Sequence, residues 1–422
     1  MESTTSETVC TLATPGLVFG PGASREAGWR AARLGITRAL LVTDRHLAER
    51  GLHEPVMAAC AAAGVEVVIH VIPVGEPTEA TLADAGSAAQ EAGVDGVIGL
   101  GGGSALDAAK VAALIGAHGG RVRDYVNAPL GPAHAPPGPL LPLLAIPTTA
   151  GTGSEVTAVA VLDLPDEHVK TGIAHPLLRP LVALCDPELT LGVPPAVTAA
   201  TGIDALLHAA EAFTSVPYTR RAAPATPDAR PNYQGAHPLA DLWVRQAIEL
   251  VGANLERAVA DGSDRDARAG MMLAATAAGV GFGNAGVHVP HACSYPIAGV
   301  RHGWKPPGYP GEGRFVPHGI ACALTAPAAF GITHRALPER HREAARLLTG
   351  REPDRDDPNP LGDAVRRLME RVGVPARLEE VGYGADDVPE LVAGAEKQQR
   401  LLACAPLPVD GGLLERVFRE SL

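Results

Sequence analysis

Apolar residues in the first half of this chain fall into short β-branched runs separated by alanine-rich stretches of helical period. Residues 39–43, 65–71, 96–100 and 143–146 read as strands, and 53–64, 78–93 and 104–116 as helices. Such alternation predicts a parallel sheet covered on both faces, with ligands at the carboxyl ends of its strands. Beyond about residue 195 the strand-like runs stop. Helical period then continues over 197–213, 239–259, 265–278, 337–348, 361–372 and 388–402. The pattern predicts an α/β N-terminal domain over 1–195 and an all-α C-terminal domain over 196–422. The proline-rich stretch 217–238 and the glycine, proline and basic stretch 300–317 read as long inserted loops, which are often functional.

The bulk numbers narrow the class. At 422 residues, 46% hydrophobic and 19% charged, the chain reads as an ordinary folded protein with a core in each domain. A net charge of −12 argues against a nucleic-acid partner and against an anionic membrane surface. No window reaches 18 uninterrupted apolar residues, so no membrane span is expected. The six cysteines, at 10, 60, 185, 293, 322 and 404, form no Cys-x-x-Cys pair and read as free thiols. Residues 1–15 hold no arginine, so neither a secretory signal nor an organelle transit peptide is read there, and a cytoplasmic location is expected.

Gly101, Gly102, Gly103 and Ser104 follow one strand and open a helix, where glycines admit a pyrophosphate and free N–H groups attract it. A tight turn is the plain alternative. Asp44 ends the strand 39–43, where a carboxylate can accept from an adenosine ribose and favour NAD, or simply sit in a turn. Pro147-Thr-Thr-Ala-Gly-Thr-Gly-Ser-Glu155 clusters hydroxyls and glycines at another strand end. Together the three segments favour a dinucleotide site.

Asp204 and His208 stand four residues apart in a helical run, on one face. His291 and His318, in glycine-bordered segments downstream, would complete a set of one carboxylate and three imidazoles. That set suits Fe2+, Zn2+ or another divalent ion, although each histidine alone also reads as a structural side chain. His288 reads as a ligand, a group behind one, or a proton carrier. Glu211, on the face of His208, is placed to orient its ring. A metal beside a dinucleotide points to hydride chemistry.

Taken together, the motifs resemble the iron-containing alcohol dehydrogenase family over nearly the whole chain. The matching segments are Phe19-Gly-Pro-Gly22, Gly101-Gly-Gly-Ser-Ala-Leu-Asp107, Pro147 to Glu155, Asp186-Pro-Glu-Leu-Thr190, Gly202-Ile-Asp-Ala-Leu-Leu-His208 and Pro317-His-Gly319. The resemblance implies metal ligands at Asp204, His208, His291 and His318. It implies NAD contacts at Asp44, Gly101, Gly102, Gly103, Ser104, Asp107, Thr148, Thr149, Thr152, Thr157 and Lys170. It also implies a small-molecule substrate and a homodimer. Arg230-Pro-Asn-Tyr-Gln-Gly235, Gly281-Phe-Gly-Asn-Ala-Gly-Val-His288, Ser294-Tyr-Pro296 and the insert before His318 are similar to a transhydrogenase subgroup. Its members oxidise 4-hydroxybutyrate while reducing 2-oxoglutarate, with NAD that is not consumed. Where typical family members carry a second histidine four residues after the third ligand, this chain has Tyr295. The proton route therefore lies open between Tyr295, His288 and a water chain. Arg301, His302, Lys305, Arg314, Arg220 and Arg221 are candidate partners for substrate carboxylates, each also readable as a solvated charge. The rival readings are an NAD(H)-dependent alcohol dehydrogenase reducing a small aldehyde and a metal-dependent lyase of dehydroquinate synthase type. A non-catalytic binding protein is the third.

Overall fold

A computed structural model describes residues 6–167, 169–300, 304–309 and 315–422. Arg301, His302 and Arg314 lie outside them. The chain divides into two compact units, one of residues 14–192 and one of 193–422 together with the N-terminal residues up to Ala13.

The first unit is built on a six-stranded, all-parallel sheet. Its strands are β1 (Gly16–Phe19), β2 (Arg38–Asp44), β3 (Glu66–Ile72), β4 (Gly96–Gly101), β5 (Leu143–Pro147) and β8 (Val182–Cys185). They run in the order β1-β8-β5-β4-β2-β3. Strand alternation divides β2 between two cores. Leu40 and Val42 pack with Leu82, Ala109 and Leu114 on one face. Ala39 and Leu41 pack with Ala27, Val56 and Cys60 on the other. From β2 the chain passes to β3 on one side and then to β4 on the other. The strand order therefore switches at β2 and β4, and a crevice opens at their carboxyl ends. Asp44 and Gly101 end those two strands. An antiparallel pair, β6 (Val159–Leu164) and β7 (Val169–Ala174), stands apart from the sheet. The patterning misses β1, β6, β7 and β8. β1 is four residues long with Leu17 and Phe19 exposed, so it lacks the continuous apolar run of a strand covered on both faces.

The helical unit is centred on Pro195–Thr214, Pro238–Ala260 and Arg265–Ala285. The last runs seven residues beyond the expected end at 278. Its glycines are contact points rather than breakers: a Cβ on Gly281 would lie 2.1 Å from Val244 Cγ1. Gly286, at φ 98°, ends that helix. After a bend of 104° the chain enters Val289–Val300. That helix and His318–His334 escape the pattern because they are buried almost all round and contain Pro296 and Pro327. The expected helix over 388–402 is two, Val388–Glu396 and Gln399–Leu402.

Residues 6–13, which the patterning groups with the α/β domain, are hydrogen-bonded into the helical unit. The Thr11 N–H donates to Gln234 Oε1 at 2.9 Å, and Gln234 Nε2 donates back to the Thr11 carbonyl at 2.9 Å. Asn284 makes the same two-way contact with Ala13 at 2.9 and 3.0 Å. Side-chain amides thus stand in for a neighbouring strand. Among the described residues no single helix is long and apolar enough to cross a membrane.

Candidate metal centre and dinucleotide site

In the first unit the three glycine and hydroxyl segments meet. A Cβ on Gly101 would lie 2.6 Å from Ala105 Cβ and 3.6 Å from Asp44 Oδ2. One on Gly103 would lie 2.8 Å from Thr152 Cγ2, and one on Gly102 3.5 Å from Thr149 Oγ1. Gly101 and Gly103 therefore leave no room for a side chain, while Gly102 sits in ordinary contact with Thr149. The helix Gly103–His118 starts in this turn with no side chain capping it, so its first N–H groups are left for an anion. Asp44 Oδ1 accepts from the Leu47 N–H at 3.0 Å, which fixes the carboxylate at the mouth of β2. Ser104 is partly exposed at the same helix start, and the Thr148 N–H donates to the Gly101 carbonyl at 3.0 Å. These features fit a pyrophosphate with its ribose.

Asp107, Thr157 and Lys170 are placed differently. Asp107 Oδ1 accepts from Ser154 Oγ at 2.5 Å, and its Oδ2 accepts from the Val161 N–H at 2.9 Å. Fully buried Lys110 donates to Ser154 Oγ at 2.7 Å, Thr157 Oγ1 at 3.2 Å and the Val159 carbonyl at 2.6 Å. This network braces the segment 152–161 from behind. Its sequence signal was Asp107 and Lys110, three residues apart and charged in an otherwise apolar helix. Lys170, on β7, is buried with its Nζ 3.0 Å from Glu76 Oε1.

In the helical unit Asp204 and His208 lie in the interior of Pro195–Thr214. His291 comes from Val289–Val300 and His318 opens His318–His334. Gly319 lets that last helix approach, since a Cβ there would lie 2.1 Å from the Ala200 carbonyl and 2.8 Å from Asp204 Cβ. His291 Nε2 is 3.7 Å and His208 Nε2 3.9 Å from Asp204 Oδ1. Donors about 2.1 Å from a tetrahedral ion sit about 3.4 Å apart, so these spacings fit one. Among the described residues the buried Asp204 Oδ1 and His291 Nε2 have no hydrogen-bond partner, and a cation would engage the lone pairs of both. His291 Nδ1 meets Glu211 Oε1 at 2.6 Å, leaving Nε2 to face the site. Glu211 thus orients His291 rather than His208. The His208 ring stacks on Phe282 at 4.0 Å and on His291 at 4.6 Å.

One donor escaped the sequence. Buried Cys322, one turn beyond His318, has its Sγ 3.7 Å from His318 Nε2. Asp204, His291, His318 and Cys322 each offer an atom within 4.8 Å of the others. The i, i+4 spacing from His318 was its only signal.

Charge states follow from burial and neighbours. Burial alone would neutralise Asp204, but His208, His291 and His318 outweigh it and hold the carboxyl below the usual range. Burial likewise opposes charge on His291, yet Cys322 and Glu211 hold its pKa well above the ordinary value. His208 and His288 are pushed down to about 4 by burial. His288 is wholly enclosed, its Nε2 3.1 Å from Thr214 Oγ1 and its N–H donating to Glu211 at 2.7 Å. Tyr295, buried and one turn beyond His291, sets its ring edge-on to His318 at 6.2 Å.

Known proteins share this arrangement of sequence. The model of iron-containing alcohol dehydrogenase matches residues 14–187, and that of the C-terminal part of the Fe-containing alcohol dehydrogenase family matches 232–418. A Bos taurus protein named hydroxyacid-oxoacid transhydrogenase, mitochondrial, is 38% identical over 96% of this chain and 88% of its own. Among solved structures, an alcohol dehydrogenase from Oenococcus oeni superposes with a TM-score of 0.84 at 29% identity, covering 98% of this chain and 100% of its own. Sulfoacetaldehyde reductase from Bifidobacterium kashiwanohense, in complex with NAD+, gives 0.80 at 28% identity over 98% and 99%. The expected cytoplasmic location is corrected by the names of the relatives: those from Bos taurus, Rattus norvegicus and Mus musculus are all mitochondrial. That expectation rested on a lack of arginine, and an absence carries no address. With matches to both family models and near full-length relatives, the chain belongs to the iron-containing alcohol dehydrogenase family.

Proposed function

We propose that the protein is a metal- and NAD-dependent transhydrogenase that moves hydride from a small hydroxy acid to an oxo acid, 4-hydroxybutyrate and 2-oxoglutarate being the pair. The observation that carries this reading is the likeness to hydroxyacid-oxoacid transhydrogenases over nearly the whole chain. The two candidate sites supply machinery to match.

Asp204, His208, His291 and His318 would hold the metal, with iron(II) as the ion proposed. Asp44, Gly101 to Ser104, Thr149 and Thr152 would hold NAD. When bound, the metal supplies Lewis acidity at the substrate oxygen, and the nicotinamide accepts and returns the hydride. Glu211 keeps the lone pair of His291 Nε2 turned inward. The Lys110 network fixes the hydroxyl-bearing segment. For the alcohol proton, Tyr295 is the better-placed carrier, because His288 is closed off behind Thr214 and Glu211. A homodimer belongs to the same proposal, and light scattering on the purified protein tests it.

The decisive test incubates iron(II)-loaded enzyme with 4-hydroxybutyrate and 2-oxoglutarate, without added NAD, and follows 2-hydroxyglutarate by mass spectrometry. Product at many turnovers per enzyme supports transhydrogenation with a retained cofactor. No product, with NADH-dependent reduction of an aldehyde instead, moves the assignment to alcohol dehydrogenase.

A further inference from the structure

We propose that Arg400 anchors the substrate carboxylate while the reacting oxygen lies at the Asp204, His291 and His318 cluster. This rests on the acid-to-acid reading above and adds the residue that makes both substrates acids.

Several arginines of the helical unit are matched with carboxylates: Arg230 with Glu7, Arg245 with Glu343, Arg257 with Asp264 and Arg340 with Asp241. Among the described residues Arg400 has no such partner, although it is partly buried. Its guanidinium lies 4.6 Å over the Tyr233 ring, with the phenol of Tyr295 and the thiol of Cys404 within electrostatic reach. A half-desolvated cation among neutral groups is a receptor for an anion, and a planar guanidinium suits a carboxylate. In a chain of net charge −12 such a locus stands out.

Its neighbours tie this charge to the metal centre. The short helix carrying Arg400 packs on Val289–Val300, which carries His291 and, one turn on, Tyr295. Tyr295 lies within electrostatic reach of Arg400 and stands edge-on to His318 at 6.2 Å. Cys404 touches a second cation without a carboxylate partner among the described residues: its Sγ lies 4.0 Å from Arg221 Nη1, and its carbonyl accepts from the Val216 N–H at 2.8 Å. Of the other cations considered from sequence, Arg220 is exposed and Lys305 is already engaged. One anchor serves both half-reactions, since each acid enters after the other has left.

The test compares the metal- and NAD-loaded wild type with Arg400→Gln and Arg400→Lys. Substrates are 4-hydroxybutyrate and the neutral 1,4-butanediol, and 2-oxoglutarate binding is followed by calorimetry. In Arg400→Gln the KM for 4-hydroxybutyrate and the Kd for 2-oxoglutarate should rise about 10- to 100-fold. Its kcat/KM on the diol should stay within about 3-fold, and its metal content should not change. Arg400→Lys, which keeps the charge without the fork, should fall between, and it carries the test if the glutamine variant does not fold. Equal losses on acid and diol, or none on either acid, would overturn the proposal. A wild type that binds no acid would instead overturn the functional reading beneath it.

Discussion

In residues 14–192 the candidate cofactor contacts lie on turns at the ends of β2, β4 and β5, and much of what they offer is backbone. In the helical unit every candidate metal donor is a side chain on a helix, and three helices must converge to bring Asp204, His291 and His318 together. The first site is a cradle defined by what is missing, the Cβ atoms of Gly101 and Gly103. The second is a cluster defined by what is present, down to the carboxylate behind His291. A cradle should fail when atoms are added, and a cluster when they are removed.

Four substitutions probe that contrast. The largest effect is expected from Lys110→Met, which removes one side of a buried charged network and should cost about 3–5 kcal/mol of stability, read by denaturant titration. It should lower NAD affinity as the 152–161 segment loosens. Glu211→Gln should weaken metal binding about 10- to 100-fold, measured by competition with a chelator, with NAD affinity unchanged. A Glu211→Gln protein with full metal affinity would deny that the cluster depends on this carboxylate. Gly103→Ala tests the other side. The added methyl, 2.8 Å from Thr152, should raise the NAD dissociation constant about 10-fold by fluorescence titration while metal content holds. Smallest of all, Cys322→Ser should change metal affinity by less than about 10-fold, because Asp204 and three histidines remain. A larger loss would make the thiol a principal donor.

The same contrast explains what could be read from the chain. Strands β2 to β5 and the glycine turn were legible because a buried parallel strand is a continuous apolar run and a phosphate-binding turn is a local motif. Asp204 and His208 were legible through their spacing on one helix. His291 and His318 were picked out as residues, but the helices carrying them were not. Buried on all faces and holding Pro296 and Pro327, those helices show no polar stripe. Cys322 and Arg400 escaped because, beyond His318 and Cys404 one turn away, the groups around them are distant in sequence. The split of the expected 388–402 helix, which sets Arg400 on its own short segment, left no periodic trace.

The amide clasps at the N-terminus have a consequence for the order of events on the ribosome. Thr11 is joined to Gln234 across 223 positions, and Ala13 to Asn284 across 271. At roughly 5–20 residues per second, Thr11 and Ala13 wait about 10–55 s for their partners. Throughout that interval the whole α/β unit, residues 14–192, emerges and can fold. The clasps therefore close only after residue 284 has been made, well after the sheet of the α/β unit is complete. A nascent chain halted near residue 230 should already protect the sheet from proteolysis while residues 6–13 remain open to cleavage.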